Sequence, residues 1–178
     1  DGIRDYKVTG VQTCALPIFH FFNMNLYSQE YNEKIEFISS NPFSLNDIIE
    51  NLDNQDKQEV FGKLIIPVDS NNLNKKYPLV IGVAGSLGWA DHHYEYLKMY
   101  RKMGIATFEL NSFKSRGISS TVGTQNEVTI AAMIVDSYMA LEKLSDHPLI
   151  DKNRISITGW SLGGGVTLFS AWLPVKNK

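Results

Sequence analysis

The segment Gly159-Trp-Ser-Leu-Gly163 constrains the fold of this chain more than any other part of the sequence. It is a G-x-S-x-G pattern, preceded by an alternating apolar run with Ile155 and Ile157 and followed by an amphipathic run. This context predicts a strand that ends and a helix that begins within a residue or two of Ser161. Glycines on both sides of so tight a turn avoid side-chain clashes. We therefore predict a strained turn with the Ser161 hydroxyl exposed as a candidate nucleophile. The alternative is a Gly/Ser-rich turn that only permits close packing.

No His, Asp or Glu follows Ser161 in the sequence. A serine needs a base within hydrogen-bond reach, and that base needs an orienting partner. In strand–turn–helix serine sites both partners follow the serine along the chain. All four histidines precede it, and we predict that each is a surface or loop residue: His20, His92, His93 and His147. The expectation is a nucleophile without its base, in a chain cut within its domain.

Residues 1–18 differ from the rest of the chain. They read DGIRDYKVTGVQTCALPI, which resembles the in-frame translation of a short-read sequencing adapter, with Tyr6-Lys7 in the place of a sample index. We interpret them as a non-native segment and leave them out of the fold predictions, the alternative being a genuine N-terminal strand and loop. The only cysteine, Cys14, lies in this segment and therefore says nothing about the redox compartment. The localisation stays open between cytoplasmic and exported.

Composition limits the class of protein. Residues 19–178 are about the length of one domain, or of the N-terminal portion of a larger one. Hydrophobic content of 43% and charged content of 20% are ordinary for a globular chain. A net charge of −2 gives no reason to expect nucleic acid or an anionic membrane surface as a partner. No apolar stretch is long enough for a transmembrane helix.

Strand and helix patterns alternate along the chain. An apolar run such as Pro78–Ala84 is typical of a strand buried on both faces of a sheet. Ser44 is a plausible N-cap, Asp91 is predicted to cap the next helix, and Gly104 is predicted to end it. The alternation predicts an α/β fold, with right-handed βαβ units, a mainly parallel sheet and helices on both faces. The predicted strands are 34–39, 60–67, 78–84, 105–110 and 154–158, and the predicted helices are 44–52, 91–104 and 125–144.

A second motif, Gly82-Val-Ala-Gly-Ser-Leu-Gly88, directly follows the buried strand. The tetrahedral oxyanion of acyl transfer is best stabilised by main-chain N–H groups that are already in place. In a strand–turn–helix serine site, one donor is the residue after the serine, here Leu162, and the other lies in a loop of this kind. We predict Ser86 as that second donor. An ordinary turn of small residues is the alternative, and a phosphate-binding loop fits poorly because neither the dinucleotide fingerprint nor the P-loop pattern matches.

From about Lys34 to Leu173 the chain resembles the dienelactone hydrolase branch of the α/β-hydrolases. The resemblance rests on PLVIGVAGSLGW, NSFKSRGI and DKNRISITGWSLGG at residues 78–89, 111–118 and 151–164. It implies an α/β-hydrolase fold and a hydrolase that acts on small ester or lactone substrates through a serine and an acyl-enzyme, without metal or organic cofactor. The oligomeric state stays open.

The sequence departs from that family in several places. The founding members use cysteine where this chain has Ser161, and the usual His-Gly of the oxyanion turn is Ala84-Gly85. The segment that usually begins Asp-Ser-Phe begins with Asn111. The portion that would carry the acid and the base is absent, so we expect this chain alone to be inactive.

Three further residues are weaker candidates for substrate binding. Arg116 follows the strand at 105–110, at the edge of the sheet where open α/β folds bind ligands, and its guanidinium could hold a carboxylate. The alternative is that Arg116 ties down its own loop. Trp89 and Trp160 border the two motifs and could line an acyl pocket, or simply belong to the core.

Three functional interpretations remain open from the sequence. The first is an esterase or lactonase of the dienelactone hydrolase type. The second is a serine peptidase or acyltransferase on the same scaffold, because a fold does not determine chemistry. The third is a non-catalytic α/β-hydrolase-like module. An Asp or Glu followed by a His further along the gene would favour an enzyme.

Overall fold

The computed structural model describes residues 29–69, 72 and 74–176, without the side chains of residues 173 and 176. The segment at residues 1–18, with Cys14, and His20 lie outside the described residues. Five strands are present in the described part: β1 (Gln29–Ser40), β2 (Lys57–Val68), β3 (Tyr77–Val83), β4 (Ala106–Leu110) and β5 (Ile150–Gly159). The α-helices are α1 (Leu45–Asn51), α2 (Asp91–Lys102), α3 (Ile130–Ser145), α4 (Leu162–Ser170) and α5 (Leu173–Lys176), with short 3-10 turns at Leu52–Asn54 and Lys114–Arg116.

The five strands form one mixed sheet in the order β1-β2-β4-β3-β5. Strands β4, β3 and β5 run parallel and are joined by helical crossovers through α2 and α3. Strands β1 and β2 pair antiparallel over their whole length, and β2 is antiparallel to β4. The predicted α/β class is confirmed. The parallel arrangement holds for β3, β4 and β5, whereas β1 and β2 form an antiparallel pair connected through α1.

Helices cover both faces of the sheet. In β3, Leu79, Ile81 and Val83 point into the large apolar cluster that includes α3. The residues between them, Val80 and Gly82, face the opposite side of the sheet, where α2 lies. Gly82 allows α2 to approach the strand closely. A Cβ at Gly82 would lie 2.8 Å from Trp89 and 3.2 Å from Leu97. The absence of a side chain at this position therefore lets α2 and the turn before it pack directly on the strand.

Two helix starts and one helix end test the predicted caps. Ser44 is confirmed as the N-cap of α1, because its hydroxyl accepts from the Asp47 N–H and the Asp47 carboxylate accepts from the Ser44 N–H. The predicted cap at Asp91 is wrong, since Ala90 is the N-cap and Asp91 is the first helical residue. Gly104, just after α2, has φ +79°, the left-handed conformation that was predicted for it.

The long helix α3 begins later than predicted. The pattern predicts a start at Gln125, but Gln125 has φ +39° and lies in a turn in which its N–H donates to the Thr121 carbonyl. The helix begins after Thr129, whose hydroxyl accepts from the Ala132 N–H at 3.0 Å and donates to the Pro42 carbonyl. An N-cap with two partners therefore determines the start of α3, and residues 125–128 belong to the preceding loop.

Strand β5 is paired on one side only among the described strands. Its Ile155 and Ile157 are half-buried and line a groove of about 350 Å³ together with Tyr138 and Leu141. This groove lies along the strand, beside α3 and α4. None of the helices in the described ranges is long and apolar enough to cross a lipid bilayer.

Candidate active site

The turn between β5 and α4 holds Ser161 in a strained conformation. Ser161 has φ +52° and ψ −114°, a backbone conformation that L-residues rarely adopt, and its side chain is exposed. Two main-chain hydrogen bonds close the turn on either side, from Trp160 N–H to the Val83 carbonyl at 3.2 Å and from Gly163 N–H to the Trp160 carbonyl at 2.9 Å. The predicted strand–turn–helix geometry is therefore present, with the serine at its tip.

Both glycines of the G-x-S-x-G pattern occupy positions where a side chain has no room. A Cβ at Gly159 would lie 2.0 Å from the Gly163 carbonyl oxygen. A Cβ at Gly163 would lie 2.2 Å from the Val83 carbonyl oxygen, in the neighbouring strand. These contacts are with backbone, which cannot move aside cheaply, so the pattern is a steric requirement of this turn.

The turn after β3 lies directly against Ser161. Val83, the last residue of β3, is in register with Gly159 of β5, so the two parallel strands end at the same edge of the sheet. A Cβ at Gly85 would lie 3.1 Å from the Trp160 carbonyl oxygen and 3.4 Å from the Ser161 Cβ. The two motifs, far apart in sequence, therefore lie side by side at one edge of the sheet.

The sequence predicts the main-chain N–H groups of Ser86 and Leu162 as oxyanion donors. The Gly88 N–H donates to the Gly85 carbonyl at 2.9 Å, which fixes the plane of the Gly85–Ser86 peptide. Because that peptide is trans, the Ser86 N–H points away from the Gly85 oxygen. Within the described part of the chain, neither this N–H nor that of Leu162 donates to another protein group. Their role as oxyanion donors stays a prediction.

An aromatic cluster surrounds Trp160, the residue before Ser161. Its indole ring lies 5.9 Å from that of Trp89 and 4.6 Å from the imidazole of His93, between ring centroids. Trp89 is in turn anchored by its indole N–H, which donates to the Leu110 carbonyl at 3.0 Å. Both tryptophans thus lie beside the site, and their predicted contact with an acyl group is untested.

The prediction that His93 is a surface residue is wrong, because it is only 4% exposed. Its Nδ1 accepts a hydrogen bond from the Ala90 N–H at 3.1 Å, so the neutral ring carries its proton on Nε2. Burial, and secondarily the nearby charge of His92, lower the pKa of His93 below its ordinary value. His93, the third residue of α2, therefore binds back to the N–H of the N-cap residue Ala90 and helps to fix the start of the helix.

The other described histidines agree with the prediction. His92 is exposed on α2. His147 lies in the loop before β5, half-buried, with its Nε2 3.2 Å from a carboxylate oxygen of Glu33. Among the described residues, no histidine is hydrogen-bonded to Ser161.

Arg116 is engaged in a buried network rather than open to a ligand. Its guanidinium binds both carboxylate oxygens of Asp136, which is fully buried on α3, at 2.7 and 3.0 Å. It also donates to Asn41 Oδ1 and to the main-chain carbonyls of Ser40 and Ser112. A substrate carboxylate would have to displace one of these partners. The arrangement agrees with the alternative that Arg116 ties down its own loop, and it argues against substrate binding.

A cavity of about 260 Å³ borders the turn after β3. Trp89, Phe113 and Met133 supply apolar walls, and Asn111 and Ser112 supply polar ones. Asn111 was singled out in the sequence only as a departure from a family pattern, and Ser112 was not singled out as a site residue. Their position directly after β4, at the edge where ligands bind in such sheets, is the signal that could have identified them.

The fold matches known α/β-hydrolase structures. A dienelactone hydrolase-like promiscuous phosphotriesterase from metagenomic libraries is 15% identical, with 78% of this chain and 54% of that chain covered and a TM-score of 0.51. A dienelactone hydrolase from Anabaena variabilis is 18% identical, with 80% and 56% covered and a TM-score of 0.51. An α/β-hydrolase from Penicillium sp. sh18 is 20% identical, with 79% and 41% covered and a TM-score of 0.53. At these identities the matches establish the fold.

Sequence comparison adds one family. The family model described as acetyl xylan esterase matches residues 111–178. No curated protein is similar enough in sequence to match the chain. The chain spans about half the length of the dienelactone hydrolase structures to which it is similar.

Proposed function

We propose that the protein of which this chain is a part hydrolyses carboxylic esters or lactones, with Ser161 as the nucleophile. The observation that carries the proposal is the contact between two turns. Ser161 projects from a strained turn, and a Cβ added at Gly85 would lie 3.1–3.4 Å from that turn. The adjacent Ser86 N–H donates to no protein group in the part of the chain that the structure describes.

In the proposed reaction, the Ser161 oxygen attacks the carbonyl carbon of the substrate while a general base takes the hydroxyl proton. The carbonyl oxygen becomes an oxyanion, which accepts hydrogen bonds from the Ser86 and Leu162 N–H groups. Collapse of this intermediate expels the alcohol, which takes up the proton from the base, and leaves an acyl-serine. Water then attacks the acyl-serine by the same route and releases the carboxylic acid.

The general base of this scheme is not among the described histidines. His93 uses Nδ1 to accept the Ala90 N–H and His147 faces Glu33. We therefore propose that the base and its acidic partner lie outside the described residues. On this proposal the chain alone hydrolyses p-nitrophenyl acetate no faster than its Ser161→Ala variant, because a triad without its base loses several orders of magnitude in rate.

The names of the similar proteins and the size of the cavity support a proposal for the substrate class. Dienelactone hydrolase and acetyl xylan esterase both name ester-type substrates with small acyl or lactone groups. The cavity of about 260 Å³ beside the oxyanion turn is of the order that a small ester would occupy. We propose a small, neutral ester or lactone as substrate, with no metal or organic cofactor in the chemistry.

A fluorophosphonate probe tests the nucleophile. The full-length protein is labelled and digested, and the labelled peptide is identified by mass spectrometry, with Ser161→Ala as the control. The proposal predicts one labelled peptide that contains Ser161 and no labelling of the variant. Labelling that survives Ser161→Ala would refute the assignment, and a folded wild-type protein that is never labelled and hydrolyses no ester would favour a non-catalytic module.

A further inference from the structure

The carbonyl of Ser86 is held by the loop between β4 and α3. The Thr121 N–H donates to this oxygen at 2.9 Å, and the Ser120 hydroxyl donates to it at 3.1 Å. Both lone pairs of the carbonyl are therefore occupied by one short segment, 34 residues away from Ser86 in sequence. We refer to Ser120 and Thr121 as the clamp.

The clamp determines the orientation of a peptide next to the proposed oxyanion donor. A planar trans peptide turns as a unit, so holding the Ser86 oxygen fixes the Ser86–Leu87 plane. The preceding plane, Gly85–Ser86, is fixed by the hydrogen bond from Gly88 N–H to the Gly85 oxygen. The Ser86 N–H is thus anchored from both sides. Without external partners, a turn with glycine at Gly85 and Gly88 would sample many orientations.

The clamp itself rests on rigid structure. Thr121 is fully buried, and its carbonyl accepts from the N–H groups of Thr124 and Gln125 at 3.3 and 3.1 Å. The start of the same loop is bound to α3 through the bidentate contact of Arg116 with Asp136. The position of the Ser86 turn is therefore set by α3 and the β4–α3 loop as well as by β3.

We propose that Ser120 and Thr121 are positioning residues for the oxyanion donor at Ser86. This inference rests on the proposed function, because it concerns the same site. The clamp touches neither the nucleophile nor the substrate in this scheme. It acts by keeping the Ser86 N–H aimed at the place where negative charge develops, which affects the transition state more than substrate binding.

Ser120 is the residue to change, because its hydroxyl can be removed while the Thr121 N–H continues to hold the turn. In the full-length protein, Ser120→Ala should lower kcat about tenfold and change KM less than about twofold. The loss in kcat should be smaller than that from removing the Ser86 N–H itself. Ser120→Thr, which keeps a hydroxyl, should restore most of the rate. Thr124→Ala is the matched control, since Thr124 lies in the same loop, is exposed, and its hydroxyl has no hydrogen-bond partner among the described residues.

A double-mutant cycle shows whether the effect passes through Ser86. If Ser120 acts only by aiming the Ser86 N–H, then Ser120→Ala should cost little additional rate in a Ser86→Pro background, where that N–H is absent. A full additional tenfold loss in that background would overturn the positioning role.

Amide hydrogen exchange tests the clamp independently of any activity. Ser120→Ala should speed exchange in residues 84–89 and leave exchange in β5 unchanged. Unchanged exchange in residues 84–89 would overturn the clamp whatever the enzyme does. Faster exchange with unchanged, Ser161-dependent kcat would overturn the positioning role and leave the proposed function standing. Activity that persists in Ser161→Ala would instead refute the proposed function, and with it the catalytic role of the clamp.

Discussion

The two turns that meet at the site are held in place by different means. The Ser161 turn is shaped by steric contacts with backbone, since Gly159 lies against Gly163 and Gly163 lies against Val83 of the neighbouring strand. The Ser86 turn is instead held by hydrogen bonds from Ser120 and Thr121, in a loop that is distant in sequence. The steric requirement of the first turn is visible in the sequence as two glycines, whereas the hydrogen bonds that hold the second turn leave no local sequence pattern.

The largest expected effect concerns the glycines of the Ser161 turn. Gly163→Ala should destabilise the protein by more than about 4 kcal/mol or prevent folding, because its Cβ would lie 2.2 Å from the Val83 carbonyl oxygen. Gly164→Ala is the matched control. Its Cβ would make an ordinary 3.5 Å contact, and alanine favours the helix, so this variant should be as stable as wild type or more so. Chemical denaturation compares the two, and equal stabilities would contradict the steric account.

The second largest effect on stability is expected from the buried ion pair of Arg116 and Asp136. Arg116→Met should cost about 3–5 kcal/mol, because it leaves the Asp136 carboxylate buried without its cation. The Ser39 hydroxyl, which donates to Asp136 at 2.5 Å, cannot replace that charge. Arg116→Lys keeps the charge but loses the bidentate geometry and should be intermediate. If thermal denaturation shows little change while KM rises strongly, Arg116 binds substrate after all.

The backbone strain at Ser161 should give a smaller effect on stability, and here a glycine should be the more stable substitution. Ser161→Gly should be more stable than Ser161→Ala by about 1 kcal/mol or more, because glycine adopts φ +52° without a steric penalty. Both variants lack the hydroxyl, so the difference isolates the backbone. Urea titration of the two provides the measurement, and an alanine variant at least as stable as the glycine variant would mean that the turn is unstrained.

The fold was largely predictable from the sequence, and the site only in part. Apolar or alternating runs predicted all five described strands, although β1 and β5 begin earlier than predicted, and the G-x-S-x-G pattern identified the Ser161 turn. Residues such as His93 and Arg116 were harder to interpret, because a polar side chain in the sequence does not reveal its buried partner. The start of α3 was misplaced because the capping partner of Thr129, the Pro42 carbonyl, comes from a distant part of the chain.

The smallest expected effect is a pH dependence from His93. Burial lowers its folded-state pKa below the ordinary value of 6.5, so the unfolded chain binds a proton more readily than the folded one. The stability tied to neutral His93 is complete above that value and is lost as the pH falls from 6.5 toward the lowered folded-state pKa. His93→Gln can still accept the Ala90 N–H and does not titrate, so it should lose less stability than wild type between about pH 7.5 and 5.5. Equal losses in thermal denaturation would exclude this role.

The central claim is that the two turns form one catalytic site, with the Ser86 N–H as an oxyanion donor. Ser86→Pro in the full-length protein removes that N–H, whereas Ser86→Ala keeps it and removes only the hydroxyl. Steady-state ester hydrolysis should show a loss of about a hundredfold or more in kcat for the proline variant and little change for alanine. A folded Ser86→Pro protein with full activity would contradict the claim, as would an alanine variant damaged as severely as the proline one.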